Sequence, residues 1–253
     1  PTGSVQFTAA AQANGAASTN SITSTTVTII NAASLTVVAT TLLPNTVSLG
    51  QPFTLLMTVS NAGVGVATAV NVAPAPPIHG GFANPGTLSG PTPASVTLAA
   101  GESTIFTYTG VETLNGAGND PWNLFYNVGV QGQDQSSGIA LLSLTRTSNS
   151  ISVETPSQLS LSVTAAPSTV NSGQTFTVIM AVSNNGGAVA LSATPSGLLQ
   201  VGSGGALLLA PISQSPQDIT KGSPGLFTWT YSAVGTGSIS FQANVTATDE
   251  NSG

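Results

Sequence analysis

The chain has 253 residues and a net charge of -6, with Lys221 and Arg146 as its two cations against eight Asp and Glu. Two isolated cations exclude the clustered Lys and Arg that nucleic acid or an anionic membrane surface requires. The absence of cysteine excludes disulfides and thiolate metal sites.

Charged residues make up 4% of the chain, against about a quarter in ordinary soluble domains. The surface must therefore be built from Ser, Thr, Asn, Gln and Gly, with few trypsin sites, which suits an extracellular location. No apolar run approaches the roughly 20 residues of a membrane span, so no membrane insertion is expected. The opening at Pro1 has neither Met nor a charged leader, and the sequence reads as a processed or partial chain.

From Val5 to Ala13 the residues alternate at strand period, with Phe7, Ala9, Ala11 and Ala13 on one face. Thr2-Gly3-Ser4-Val5-Gln6-Phe7 matches Thr236-Gly237-Ser238-Ile239-Ser240-Phe241, so the opening reads as the end of a repeat. Thr23 to Leu35 then lies over Thr147 to Leu159, with Val27 and Ile29 answering Ile151 and Val153. Ala32-Ala33-Ser34 and Thr155-Pro156-Ser157 are the corresponding hinges.

The stretch from Leu35 to Gly63 is written again from Leu159 to Gly186. Pro44, Gly50, Gln51, Phe53, Met57, Asn61 and Gly63 fall on Pro167, Gly173, Gln174, Phe176, Met180, Asn184 and Gly186. Such an internal repeat points to an array of units rather than to one catalytic domain. Phe53 to Asn61 reads as a core strand, and Val66, Val70 and Val72 supply another. Residues 73–93, rich in Pro and Gly, read as loops. Gly101 to Thr109 is matched by Gly222 to Thr230, and Tyr126 to Val130 forms the last strand of the first copy. Leu114 to Trp122 has no full counterpart and reads as an exposed loop insertion.

Short strands spaced by turn signals, with no helical period, predict an all-β chain of tandem β-sandwiches in an extended row. Residues 1–31 form an N-terminal strand segment, 32–154 the first sandwich and 155–253 the second. The order Gly-Gln-x-Phe-Thr, Val-Ser-Asn-x-Gly and Leu98-Ala99-Ala100-Gly101-Glu102-Ser103-Thr104 before a Phe-Thr-Tyr strand resembles CARDB-type repeats, cell-adhesion-related modules of bacterial surface proteins. The resemblance covers most of residues 35–138 and 159–253. It implies an immunoglobulin-like fold and an extracellular or cell-surface location, and it brings no catalytic residues. The second copy departs from it at Lys221-Gly222-Ser223-Pro224.

No constellation carries chemistry. His79 is the sole histidine, in a Pro- and Gly-rich stretch, and reads as an exposed structural residue, leaving no His cluster for a metal or a Ser-His-Asp site. Asp134 and Asp249, with Glu250 beside the second, stand just beyond the last strand of each copy. They are the only candidates for Ca²⁺ ligands, and solvated junction acids are the favoured reading, so no cofactor or metal is expected. Lys221 reads as a surface lysine rather than as one end of an amide crosslink. Trp122 is the candidate contact residue for a glycan, whereas Phe106, Tyr108, Phe227 and Trp229 suit core packing. Asn244-Val245-Thr246 is a glycosylation sequon inside an expected strand.

These features favour a non-enzymatic structural protein of a stalk, surface layer or filament over a carbohydrate- or host-binding adhesin module. The partners expected are copies of itself or neighbouring repeats, with glycans for the second reading. The second copy stops at Gly253, the counterpart of Gly138, and lacks the strand that Thr147 to Glu154 supplies to the first. Thr23, Thr25, Val27 and Ile29 belong to a strand of that type at the other end. Either this strand is donated to the next molecule by β-augmentation, or residues 1–253 are a window of a longer array with the strand supplied in cis.

Overall fold

The computed structural model describes residues 3–11, 21–83, 86–113, 120–209 and 215–253. The protein is all-β, and no helix occurs among the described residues. Two strands carry the core, Pro52–Asn61 and Thr175–Asn184, and in each every second residue is buried over ten positions. Each therefore lies with one face on a core and one face towards the surface.

Around each of these strands the same order of neighbours is built. One sheet runs Leu88–Thr92, Ser103–Val111, Pro52–Asn61, Leu35–Leu43, and its counterpart runs Gly205–Leu208, Gly225–Val234, Thr175–Asn184, Leu159–Ala166. Met57 stands opposite Phe106 and Met180 opposite Phe227. A second sheet joins Val96–Leu98, Ala67–Val72, Val130–Asp134 and Ala140–Leu142; its counterpart joins Gln217–Ile219, Ala190–Pro195 and Val245–Asp249. Ala69 and Ser192 both have φ above +50°, at bulges in corresponding strands. The two halves have separate apolar clusters, one centred on Phe53, Met57, Phe106 and Tyr126, the other on Phe176, Met180, Phe227 and Trp229.

The halves differ at one edge. In the first, Ile151–Glu154 lies between Trp122–Val128, antiparallel, and Thr46–Ser48, parallel. Ile151, Val153 and Val47 are thereby sealed at 0–1% exposure. In the second half Ile239–Gln242 pairs with Leu199–Gly202 alone, and among the described residues no strand lies between it and residues 169–171.

Three expectations are corrected here. Residues 73–93 are not all loop, because Ile78–Gly81 pairs with Trp122–Val128 and Leu88–Thr92 pairs with Ser103–Val111. Both are edge strands, a position where Gly and Pro are tolerated in a sheet. Tyr126 to Val130 is two strands, Trp122–Val128 and Val130–Asp134, in different sheets. Trp122 is not in a loop; it opens the first of these strands opposite Val153, at 5% exposure. Of the expected inserted loop, Leu114 to Trp122, residues 114–119 lie outside the described residues.

The N-terminal segment pairs with itself. Gly3–Val5 runs antiparallel to Val27–Ile29, and Thr8–Ala9 to Ile22–Thr23. Phe7, Ile22, Val27, Ile29 and Ile30 remain exposed.

Candidate functional site

The most elaborate polar construction is the seat of each linker. Asn61, fully buried, accepts from the amides of Ser34 and Gly63 at 3.0 and 3.1 Å through its Oδ1, and donates from Nδ2 to the carbonyls of Gly65 and Leu98 at 2.7 and 3.1 Å. Asn184 repeats the arrangement. Its Oδ1 takes the amides of Gln158 and Gly186, both at 2.9 Å, and its Nδ2 reaches the carbonyls of Ala188 and Ile219 at 2.7 and 3.0 Å. A buried amide that satisfies four backbone groups is a fixed node, since losing it strands all four. The glycine two residues on is needed because the linker crosses directly over it. A Cβ at Gly63 would strike the backbone of Ala32 and Ser34, and one at Gly186 that of Pro156 and Ser157.

The junction acids complete the seat. Asp134 accepts the Ala33 amide through Oδ2 at 2.8 Å, and through Oδ1 the amides of Ser136 and Ser137 and the Ser137 hydroxyl. Asp249 accepts the Ser157 amide through Oδ2 at 2.6 Å, and through Oδ1 the amides of Asn251 and Ser252 and the Ser252 hydroxyl. Both acids are therefore hydrogen-bond acceptors of the joint, a correction to the expectation of solvated carboxylates; Asp134 is only 2% exposed. The bond from the Ala33 amide, with those from Ser137, holds the Asp134 carboxyl below its ordinary pKa. For Asp249 burial pushes upward, and the bonds from Ser157, Ser252 and Ser48 outweigh it, so the net shift is again downward.

Between the halves, the linker seat of the second half is bonded to the end of the first. The Ser48 hydroxyl donates to Asp249 Oδ1 at 3.1 Å, and Gln51 Nε2 donates to the Asn251 carbonyl at 2.6 Å. Asn251 Nδ2 donates to Glu154 Oε2 at 2.9 Å and to the Ser48 hydroxyl at 3.2 Å. On the other side Asp120 accepts the Thr155 hydroxyl at 2.7 Å and faces Lys221 Nζ at 3.5 Å. The linker Thr155–Ser157 is thus clamped from two directions.

The remaining sequence-named residues fall elsewhere. His79 is exposed on an edge strand opposite Tyr126. Glu250 is exposed and outside the clamp, although its amide bonds the Val189 carbonyl. Among the described residues no three His, Asp or Glu side chains cluster with metal-ligand spacing. Asn244 is exposed in the gap between two strands rather than within one. Thr23, Val27 and Ile29 lie in the N-terminal ribbon, with Thr25 between its two strand pairs. Sequence reasoning missed Asp120, whose partners Thr155 and Lys221 lie 35 and 101 residues away. It also missed Ser48 and Asn251; the repeat of Gln51 at Gln174 was the signal that this end of the unit has a role.

No family model matches the chain, and no curated protein matches it. A solved structure, the secreted serine protease VesC from Vibrio cholerae, aligns with 81% of this chain and 49% of its own at 10% identity and a TM-score of 0.20. The chain thus spans about half the length of that protein, and a likeness this weak carries no argument.

Proposed function

We propose that this protein is a non-enzymatic extracellular structural protein, a building block of a bacterial surface stalk or filament. In this reading its two halves are immunoglobulin-like β-sandwiches set in an extended row, and its copies add end to end. The observation that carries the reading is the linker seat, built twice from the same residue types. Asn61, Gly63 and Asp134 hold Ala32–Ser34 at one end of the chain, as Asn184, Gly186 and Asp249 hold Pro156–Gln158 in the middle. A flexible tether between independent modules needs no such seat, whereas a row that transmits tension does. No strand of residues 35–154 pairs with a strand of residues 159–249 among the described residues, and the contacts between the halves gather at the joint. That favours units joined at their ends over units packed side by side.

The adhesin alternative loses its aromatic contact, because Trp122 lies in the core. Sedimentation of the native chain across a concentration series tests the proposal, together with a glycan array. Open-ended growth into thin rods, without glycan binding, is expected. A monomer at all concentrations that binds a defined sugar would overturn it.

A further inference from the structure

Among the described residues, the edge that is sealed in the first half stands open in the second. A groove of about 290 Å³ runs between Pro167–Ser172 and Gly235–Ile239, floored by Phe176 and Phe241. Phe176 and Phe241 stand 5.9 Å apart, and Tyr231 stacks on Phe176 at 5.8 Å. The counterparts of these residues in the first half show what the groove takes. Val47 is fully buried beside its strand partner Val153, but Val170 is only partly covered; Ser48 is buried, but Asn171 is exposed. Where Trp122 fills the first half, the second has Gly237. Among the described residues no strand covers this groove, so its rims, residues 169–171 and Gly237–Ile239, are sheet edges open to a further strand.

A strand of the required type lies in the N-terminal ribbon. Val27-Thr28-Ile29-Ile30 corresponds to Ile151-Ser152-Val153-Glu154, and the ribbon already holds it in the matching register. Ile29, Thr28 and Val27 stand opposite Gly3, Ser4 and Val5, as Val153, Ser152 and Ile151 stand opposite Trp122, Asn123 and Leu124. Gly3-Ser4-Val5 is in turn nearly identical to Gly237-Ser238-Ile239. The ribbon is thus half of the strand's site, lacking the parallel neighbour and the apolar floor, and it leaves Val27 and Ile29 at 55% and 51% exposure. Four linker residues, 31–34, tie this strand to Leu35 in the first half, a reach of about 14 Å. The groove lies beyond the joint, at the end of the second half that corresponds to Ser48 and Gln51.

We infer that the open edge of the second half is a receptor for Val27–Ile30 of a second copy, seated parallel to residues 169–171 and antiparallel to Gly237–Ile239. The inference rests on the end-to-end reading and adds to it the site and the register. Docking exchanges Gly3–Val5 for its near-copy Gly237–Ile239, so the antiparallel pairing is conserved and the gain is the parallel pairing with residues 169–171 and the burial of Val27 and Ile29. The joint between copies then repeats the joint within one. Asn171 and Gln174 take the places of Ser48 and Gln51, and Asp134 and Ser136 of the incoming copy take those of Asp249 and Asn251. Gln174 is ready for this: its Oε1 accepts the Asn171 amide at 2.8 Å, as Gln51 accepts that of Ser48 at 3.0 Å. Because donor and receptor are different surfaces, the contact propagates instead of closing.

The chain has no cysteine, so a Thr28→Cys/Ser238→Cys variant of the full chain reports the register directly. Under mild oxidation it should give a ladder of trimers and longer species on a non-reducing gel, while either single variant stops at dimers. Adding Val27→Asp and Ile29→Asp should lower ladder yield by on the order of a hundredfold, about tenfold for each lost apolar contact. The melting curve should stay unchanged, since neither residue is in a core. Deleting residues 1–11 should speed ladder formation by removing the competing strand. A ladder that survives both aspartates, or a disulfide closed within one chain, overturns the inference. Rods that grow without any ladder overturn it while leaving end-to-end assembly standing; absence of both rods and ladder overturns both.

Discussion

Asn184 is the residue whose loss should reach furthest. Asn184→Ala strands two amides and two carbonyls, Gln158, Gly186, Ala188 and Ile219, at about 1–3 kcal/mol for each buried group left unpaired. Partial rehydration lowers the sum, so a loss of about 3 kcal/mol is expected, read from the denaturant midpoint of the second half. Asn61→Ala should do the same to the first half alone. The junction acids set the pH response. Asp134 and Asp249 both have folded pKa values below the ordinary one. Their contribution is therefore complete above the unfolded value, about 3.9, and is lost as pH falls through the folded values below it. Stability should be flat from about pH 7 to 5 and fall below about pH 4. A double Asp134→Asn/Asp249→Asn variant should lose most of that acid slope, measured by urea titration at each pH. The repeated Asn and Asp were visible in the sequence as matched letters. Their role was not, because each bonds a linker segment that sequence spacing alone places only nearby, and a buried acceptor looks the same as a solvated acid until its donors are located.

At the scale of elements, the strands carrying strict alternation were legible: Pro52–Asn61 and Thr175–Asn184 follow the apolar period throughout. Edge strands were not, since Ile78–Gly81 and Leu88–Thr92 owe their pairing to neighbours rather than to β-propensity and carry the Gly and Pro that signal loops. Trp122 was misplaced for a related reason. Asp120-Pro121 before it reads as a turn, yet the strand begins at the very next residue. The linker clamp predicts an asymmetry among its parts. Lys221 is 54% exposed and faces Asp120 at 3.5 Å, so Lys221→Ala should change the melting temperature of either half by less than about 2 °C. Gly186→Ala, which drives a methyl into the Pro156–Ser157 backbone, should lower stability by about 1–3 kcal/mol. Differential scanning calorimetry resolves both.

For the whole molecule the proposed end-to-end row of units implies length. Two units of about 120 residues set end to end, with ten-residue strands near 33 Å long, give a radius of gyration of about 22–24 Å, against about 18 Å for one compact body of this size. X-ray scattering of the dilute chain distinguishes these, and a value near the compact one would remove the extended row. The doubling of the core strand was legible because Leu35 to Gly63 is written again from Leu159 to Gly186. The groove was only half legible: the kinship of Thr23 to Leu35 with Thr147 to Leu159 was plain in the residues, but the groove's aromatic floor and the register of the N-terminal ribbon appear only in the fold. Electron microscopy of the native material tests end-to-end assembly most directly. Unbranched filaments one unit thick are expected, with an axial repeat of about 70 Å, two strand lengths per chain. Isolated particles, or sheets with lateral contacts between chains, would contradict it.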